Sequence, residues 1–305
     1  MGIMQLDTKL HNFQNLCFCC NNYVLIGILL VNINLYIDPR GDIYMKIAIL
    51  VKQVPDSDEI KMDPEKGTMI REGAGNIVNP LDLNALEAGL ILRKEYGGEV
   101  SVLSMGPPQA DIALREALAL GADRAYLVSD RYFAGADSWA TSLVLAKAIE
   151  KLGPFDLILA GEKATDGETG QVGPEVAAML DLPFATYVSS IVVCDSGIKV
   201  RRTIEEGYQT QHLVFPCLVT VLNDINEPGM PTLSLKKKAR RAEIQIFSSQ
   251  ELGIAKDEVG LAGSPTRVVK IYHPKISRQT EFYSGREIDK GIDQVVEILR
   301  DLAVL

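Results

Sequence analysis

The segment Asp166-Gly167-Glu168-Thr169-Gly170-Gln171-Val172-Gly173-Pro174 holds the residue types best suited to chemistry in this chain. Its glycines let backbone approach a ligand closely. It joins a short apolar run to what reads as a helix start, where several amide N–H groups point outward. That combination predicts a cradle for a phosphate or pyrophosphate. No GxxxxGK motif ending in Ser or Thr is present, and the glycines do not fall in a GxGxxG spacing. Triphosphate hydrolysis is therefore not implied. Thr169 is expected to cap the helix and offer its hydroxyl to a ligand, while Gln171 brings an amide donor and an acceptor.

Asn79-Pro80-Leu81-Asp82 is the second candidate. Proline at a helix start flanked by Asn and Asp suits a cap, and it also suits hydrogen bonds to a ribose or base edge. Taken alone it reads better as a capped helix with no ligand. Met105-Gly106-Pro107 is likewise a turn in isolation, and a nucleotide wall only in company with the other segments.

These segments need a scaffold that brings them together, and the chain after Met45 supplies one. Lys46 to Val51 is a short apolar run, as a strand buried on both faces should be. A helix opens at Asn79-Pro80, carries Leu83, Leu86, Leu90 and Ile91 on one side, and closes near Gly97-Gly98. The alternation continues with a strand at Val100 to Ser104, a helix from about Asp111 to Leu120, and a strand at Ala125 to Val128. A helix at Ser138 to Leu152 and a strand at Leu157 to Ala160 follow. The next helix is expected from Thr169 to about Leu180, with extended segments near Ala185 to Val193, Lys199 to Thr203 and Gln209 to Val221. Repeated β-α-β units predict a doubly wound, mainly parallel α/β sheet with helices on both faces. Such sheets bind ligands at the carboxyl ends of their strands, where the strand order reverses. The unusual segments fall just after strands.

Composition narrows the function classes. The 305 residues include 31 Lys plus Arg against 40 Asp plus Glu, a net charge of −9. That is the wrong sign for a protein that neutralises a phosphate polymer, so nucleic acid is not an expected partner. Of the five cysteines, Cys17, Cys19, Cys20, Cys194 and Cys217, three crowd into one short stretch near the start and the two in the main body form no CxxC pair, which argues against a disulfide framework or an iron–sulfur cluster in the main body. A reducing, cytoplasmic compartment is expected. His11, His212 and His273 share no ligand spacing, and no metal is predicted. Residues 1–44 differ in character from the rest, being rich in Asn, Leu, Ile and Cys and poor in charge. The apolar run Tyr23 to Ile37 is shorter than the roughly 20 residues of a spanning helix and carries Asn32 and Asn34, so no membrane span is expected. The reading here is that Met45 is the true start and 1–44 an extension outside the folded body.

VKQVPD after the first strand, VNPLDLNALEAGL, SMGPPQA, LREALALGADRAYLV, DGETGQVGP and INEPGMPTLSLKKKARR closely resemble, in order and spacing, the electron transfer flavoprotein beta subunit. The likeness covers Met45 to about Arg241. It implies a fold of the adenine nucleotide alpha hydrolase type, over 45–235, with a C-terminal arm and helix over 236–305 that reach onto an alpha subunit. One class of that family holds AMP in this site as a structural ligand. A second class holds FAD, takes electrons from NADH, and splits them between a high- and a low-potential acceptor such as ferredoxin. Such complexes include further redox subunits or a quinone reductase, through which they can associate with a membrane. The family's site carries over onto Leu50, Asn79, Pro80, Leu81, Asp82, Met105 and Asp166 to Pro174. Gly106 and Lys52 adjoin it, and Lys52 and Gln53 are the candidates for tuning the ring end of a flavin. The short loop DGETGQVGP resembles the FAD-binding, bifurcating class, although those members often carry Ala where this chain has Gly170. The loop Asn226 to Leu235 resembles the segment by which members dock on partner dehydrogenases, with Leu233 at the docking leucine and Gly229-Met230 departing from the frequent Arg-Tyr. A rival reading, an adenylyl-transferring or ATP-sensing protein on a similar sheet, lacks the SGGxDS motif it would need.

Lys236, Lys237, Lys238, Arg240 and Arg241 read as a solvated basic face. Ala242 to about Arg286 reads as an extended arm stabilised mainly by a partner. Ile288, Ile292, Val295, Val296 and Leu299 form one stripe of an amphipathic terminal helix.

Overall fold

The computed structural model describes residues 43–56, 75–269 and 280–303, with short strands at 24–26, 29–31, 36–37, 61–62 and 69–70. Most of the expected 1–44 extension lies outside the described residues. The chain divides into two compact units, residues 1–62 with 69–267, and residues 63–68 with 268–305.

The first unit is built on a ten-stranded sheet. Its strands are β1 (Ile43–Leu50), β2 (Gly98–Met105), β3 (Arg124–Val128), β4 (Leu157–Gly161), β5 (Phe184–Cys194), β6 (Gly197–Ile204), β7 (Gly207–Val214), β8 (Cys217–Val221) and β9 (Gln245–Phe247). They lie in the order β7-β6-β5-β8-β4-β1-β2-β3-β9, and Tyr36–Ile37 adds a short antiparallel piece to the start of β1. Along this order every pairing from β5 to β9 is parallel; the β5-β6-β7 extension, like the short Tyr36–Ile37 piece, is antiparallel. The doubly wound, mainly parallel sheet expected from the strand–helix alternation is therefore what forms.

The helices are α1 (Pro80–Tyr96), α2 (Asp111–Leu120), α3 (Ser138–Leu152), α4 (Val172–Met179) and α5 (Leu233–Arg241), with single turns α6 (Ser249–Leu252) and α7 (Gly260–Gly263). Because the parallel strands are covered on both sides, their residues alternate between two cores. Ile47, Ile49, Val100 and Val102 pack with Leu86 of α1 and Leu114 of α2. Ala48, Leu50, Leu103 and Ile158 pack with Val144 of α3 and Val176 of α4. Ile47, Ile49 and Leu103 are fully buried, each stabilising the fold by about 1.5–3 kcal/mol relative to exposure.

Three expectations are corrected. Helix α4 begins at Val172, not Thr169, and Gln171 occupies its N-cap without a side-chain cap. The predicted extended run Gln209 to Val221 is two strands, β7 at the sheet edge and β8 inserted between β5 and β4. The segment after Arg241 does not wait for a partner, as far as Arg267. β9 adds to the sheet edge beside β3, and Leu252, Ile254 and Val259 join the α3/α4 core. Ser248 and Glu251 form a capping box, and Asp137 at the N-cap of α3 accepts from Thr266 N at 2.9 Å.

In the second unit α8 (Ile288–Asp301) forms where the stripe predicted it, and Ile292 and Val295 on that stripe are each 55% exposed. No described helix is long and apolar enough to cross a membrane.

Candidate nucleotide site

The chain leaves β1 toward β2 and β3 on one side, then returns to β4 on the other, so the strand order reverses between β1 and β4. In doubly wound sheets such a reversal marks the ligand crevice, at the carboxyl ends of the strands. Parallel pairing sets Leu50 beside Ala160 on β4 and beside Leu103 on β2, which brings Met105 and Gly106 to the same edge. Leu50, Lys52, Met105, Gly106, Asn79 to Asp82 and the 166–174 loop, scattered through the sequence, thus gather around one crevice.

Asp82 ties its two walls together. Its Oδ2 accepts from Lys52 N at 2.7 Å, just past β1, and its Oδ1 accepts from Gly161 N at 3.1 Å, at the end of β4. The approach requires a glycine, since a Cβ on Gly161 would stand 2.5 Å from Asp82 Oδ1 and 2.8 Å from Leu81 carbonyl carbon. Burial pushes the Asp82 carboxyl up to about 7, against the pull of hydrogen bonds from Lys52 and Gly161 amides and the Asn79 side chain and of the Lys52 charge.

Asn79 is fully buried and holds the loop. Its Nδ2 donates to Lys163 O at 2.9 Å and its Oδ1 accepts from Thr165 N at 3.1 Å. The amide expected to cap α1 makes no cap hydrogen bond; both its ends are engaged by the loop that follows β4. Lys52 Nζ reaches across to Asp166 Oδ1 at 2.6 Å, and Gln53 Nε2 donates to Gln109 O at 3.2 Å. Lys163 Nζ stands 3.7 Å from Glu168 Oε1.

The loop then turns twice through the left-handed region, at Glu168 (φ 52°) and Gly170 (φ 63°), before α4 begins. Thr169 Oγ1 accepts from Gln171 N at 3.4 Å, a local turn in place of the expected helix cap. The amides of Gly170, Val172 and Gly173 find no acceptor among the described residues, and Pro174 has none to offer. Gln171 Oε1 and the Glu175 carboxylate accept from Ser138 and Ser142 of α3, which fixes the first turn of α4 against α3. The glycines of the loop do not share one role. A Cβ on Gly167 would meet nothing within 4 Å, whereas one on Gly173 would meet Thr220 Cγ2 at 2.4 Å. Gly173 therefore serves the packing of α4 on β8, and Gly167 leaves open space above the loop.

Sequence reasoning missed Gly161, Ser138, Ser142, Glu175, Thr220 and Asn84. Asn84 Nδ2 donates to Asn226 O at 2.9 Å and Asn223 O at 3.2 Å, pinning the segment before α5. An Asn inside the apolar helix pattern LDLNALEAGL was a readable signal, because Asn is disfavoured there without a tertiary partner. The two serines carried none. Leu233 opens α5, where it is 80% exposed beside Met230 at 93%, and Thr232 caps the helix by accepting from Leu235 N at 3.2 Å. Ala239 buries the other side of α5, and Arg115 Nη1 on α2 donates to Ala239 O at 2.9 Å.

A strand-order reversal between β1 and β4, with the start of α4 beside it, is the arrangement of a doubly wound α/β protein. The electron transfer flavoprotein domain matches residues 66–252. The electron transfer flavoprotein subunit beta of Thermoanaerobacterium thermosaccharolyticum is 43% identical over 262 residues, 86% of this chain and 100% of that protein. The caffeyl-CoA reductase-Etf complex subunit CarD of Acetobacterium woodii is 42% identical, with the same coverage. Protein FixA of Azorhizobium caulinodans is 44% identical over 238 residues, 75% of this chain and 85% of that protein. The chain belongs to the electron transfer flavoprotein family, as a beta subunit.

Proposed function

We propose that this beta subunit holds FAD in the crevice between β1 and β4, pairs with an alpha subunit, accepts electrons from NADH, and passes them to the alpha-subunit flavin and a low-potential acceptor such as ferredoxin. The observation that carries the reading is the start of α4. Among the described residues the Gly170, Val172 and Gly173 amides have no acceptor, the helix dipole adds partial positive charge, and Gly167 leaves the approach open. A pyrophosphate fits that set of donors. FAD, when bound, supplies electron-transfer chemistry that no side chain of the crevice has.

The protein's own part is positioning. Asp82 fixes the two strand ends, Asn79 fixes the loop, and Leu50 and Met105 give the crevice apolar walls. Lys52 and Gln53 bring a cation and an amide to the mouth, where they set the electrostatics a ring would experience. The short loop DGETGQVGP, like that of the FAD-binding class, supports FAD over an AMP-holding structural role. Leu233, exposed at the first position of a capped helix, and Met230 in the segment before it are the proposed contact with redox partners, and α8 that with the alpha subunit. The proposed location is the cytoplasm, with any membrane association made through other subunits.

The test is to denature the purified alpha–beta complex and separate its nucleotides by chromatography. Two FAD per heterodimer is the expected result. One FAD with one AMP would make this chain the structural member of a single-flavin carrier, and the absence of any adenine nucleotide from the beta subunit would reject the site.

A further inference from the structure

Thr220, the penultimate residue of β8, is 1% exposed, yet its Oγ1 has no hydrogen-bond partner among the described residues. Packing alone does not account for it. Valine has nearly the same shape and carries no polar atom to leave unpaired, whereas a buried hydroxyl without a partner costs stability. Three observations say where a partner would be. Thr220 lies on the α3/α4 side of the sheet, beside Ala160 of β4 in the parallel ladder. Its Cγ2 stands 2.4 Å from where a Cβ of Gly173 would be, directly beneath the first turn of α4. Its other neighbour, β5, is irregular at this level, the register shifting between Ala185, opposite Val219, and Val188, opposite Val221. The Thr220 side chain, its methyl toward Gly173, thus lies under the same helix turn whose Gly170, Val172 and Gly173 amides have no acceptor among the described residues. One anionic oxygen group seated on that turn satisfies both.

We propose that Thr220 is a further phosphate-binding residue, its Oγ1–H donating to a phosphate oxygen of a nucleotide seated on the first turn of α4. The inference rests on the nucleotide reading above and adds a donor from beneath the helix, on a strand no loop motif marks. It accounts for glycine at 173 as well, since a side chain there would displace Thr220 from the seat.

The test uses the alpha–beta complex freed of nucleotide and titrated with adenosine, AMP and ADP, comparing the wild type with Thr220→Val and Thr220→Ser. The expected result is roughly tenfold weaker ADP binding in Thr220→Val with adenosine binding unchanged, and near-wild-type binding in Thr220→Ser. Wild-type ADP affinity in Thr220→Val would overturn the proposal, as would an equal loss for adenosine and ADP, which marks a general packing defect. If the wild type itself binds AMP and ADP no better than adenosine, the phosphate seat is rejected, and Thr220's role with it.

Discussion

Asp82→Asn separates two forces that act on the same carboxyl. Burial raises it from 3.8 to about 7, while hydrogen bonds from Lys52 N at 2.7 Å, Gly161 N at 3.1 Å and the Asn79 side chain pull it down. The unfolded chain releases this proton near pH 4 and the folded chain near pH 7. Between those values the unfolded chain binds fewer protons, so stability falls as pH rises. At about 1.4 kcal/mol per pH unit, the contribution reaches about 4 kcal/mol, fully present below pH 4 and gone above pH 7. Asparagine cannot titrate, and its NH2 opposes one of the two backbone donors, which costs about 1–3 kcal/mol. Urea unfolding of both proteins from pH 5 to pH 8 should therefore give a destabilisation that is largest at pH 5 and shrinks toward pH 8. If it grows with pH instead, the hydrogen bonds outweigh burial, and the account of Asp82 as a group that folding keeps protonated is refuted.

Other outcomes follow from the same geometry. Asn79→Leu removes two hydrogen bonds to the loop and should weaken it by about 1–3 kcal/mol; hydrogen exchange at the Thr165 amide should lose protection while the sheet keeps its own. Gly173→Ala should destabilise by about 1–3 kcal/mol through overpacking against Thr220, and adding Thr220→Ser, which removes the opposing methyl, should recover part of the loss in a double-mutant cycle. Lys52→Gln breaks a pair whose side chains are 48% and 24% exposed, so the unfolding free energy read by urea titration should fall by no more than about 1 kcal/mol. Nucleotide binding in that variant should lose salt dependence relative to wild type, as read by titration at two ionic strengths.

The alternation of strands and helices was legible because each element announces itself locally. Pro80 starts α1 and Gly97 ends it, Gly121 ends α2, and the runs IAIL and LILA are apolar throughout, as strands covered on both faces must be. Since ligands in such sheets sit after the strands, the order of elements also pointed to the loops that matter. The C-terminal segment was harder to read, because a three-residue strand such as Gln245–Phe247 has too few residues to show a period and is defined only by the β3 edge it joins.

Tertiary structure alone decided what the site residues do. Lys52 and Asp166, 114 positions apart, become an ion pair because β1 and β4 are neighbours. Gly167 and Gly173 look alike in the sequence, but one faces open space and the other the methyl of Thr220. Asp82 reads as an ordinary helix-start acid, and only its burial between two strand ends raises its pKa. A sequence determines local conformation through contacts a few residues long. Burial, charge partners and orphaned polar groups depend on which distant segments the sheet sets side by side.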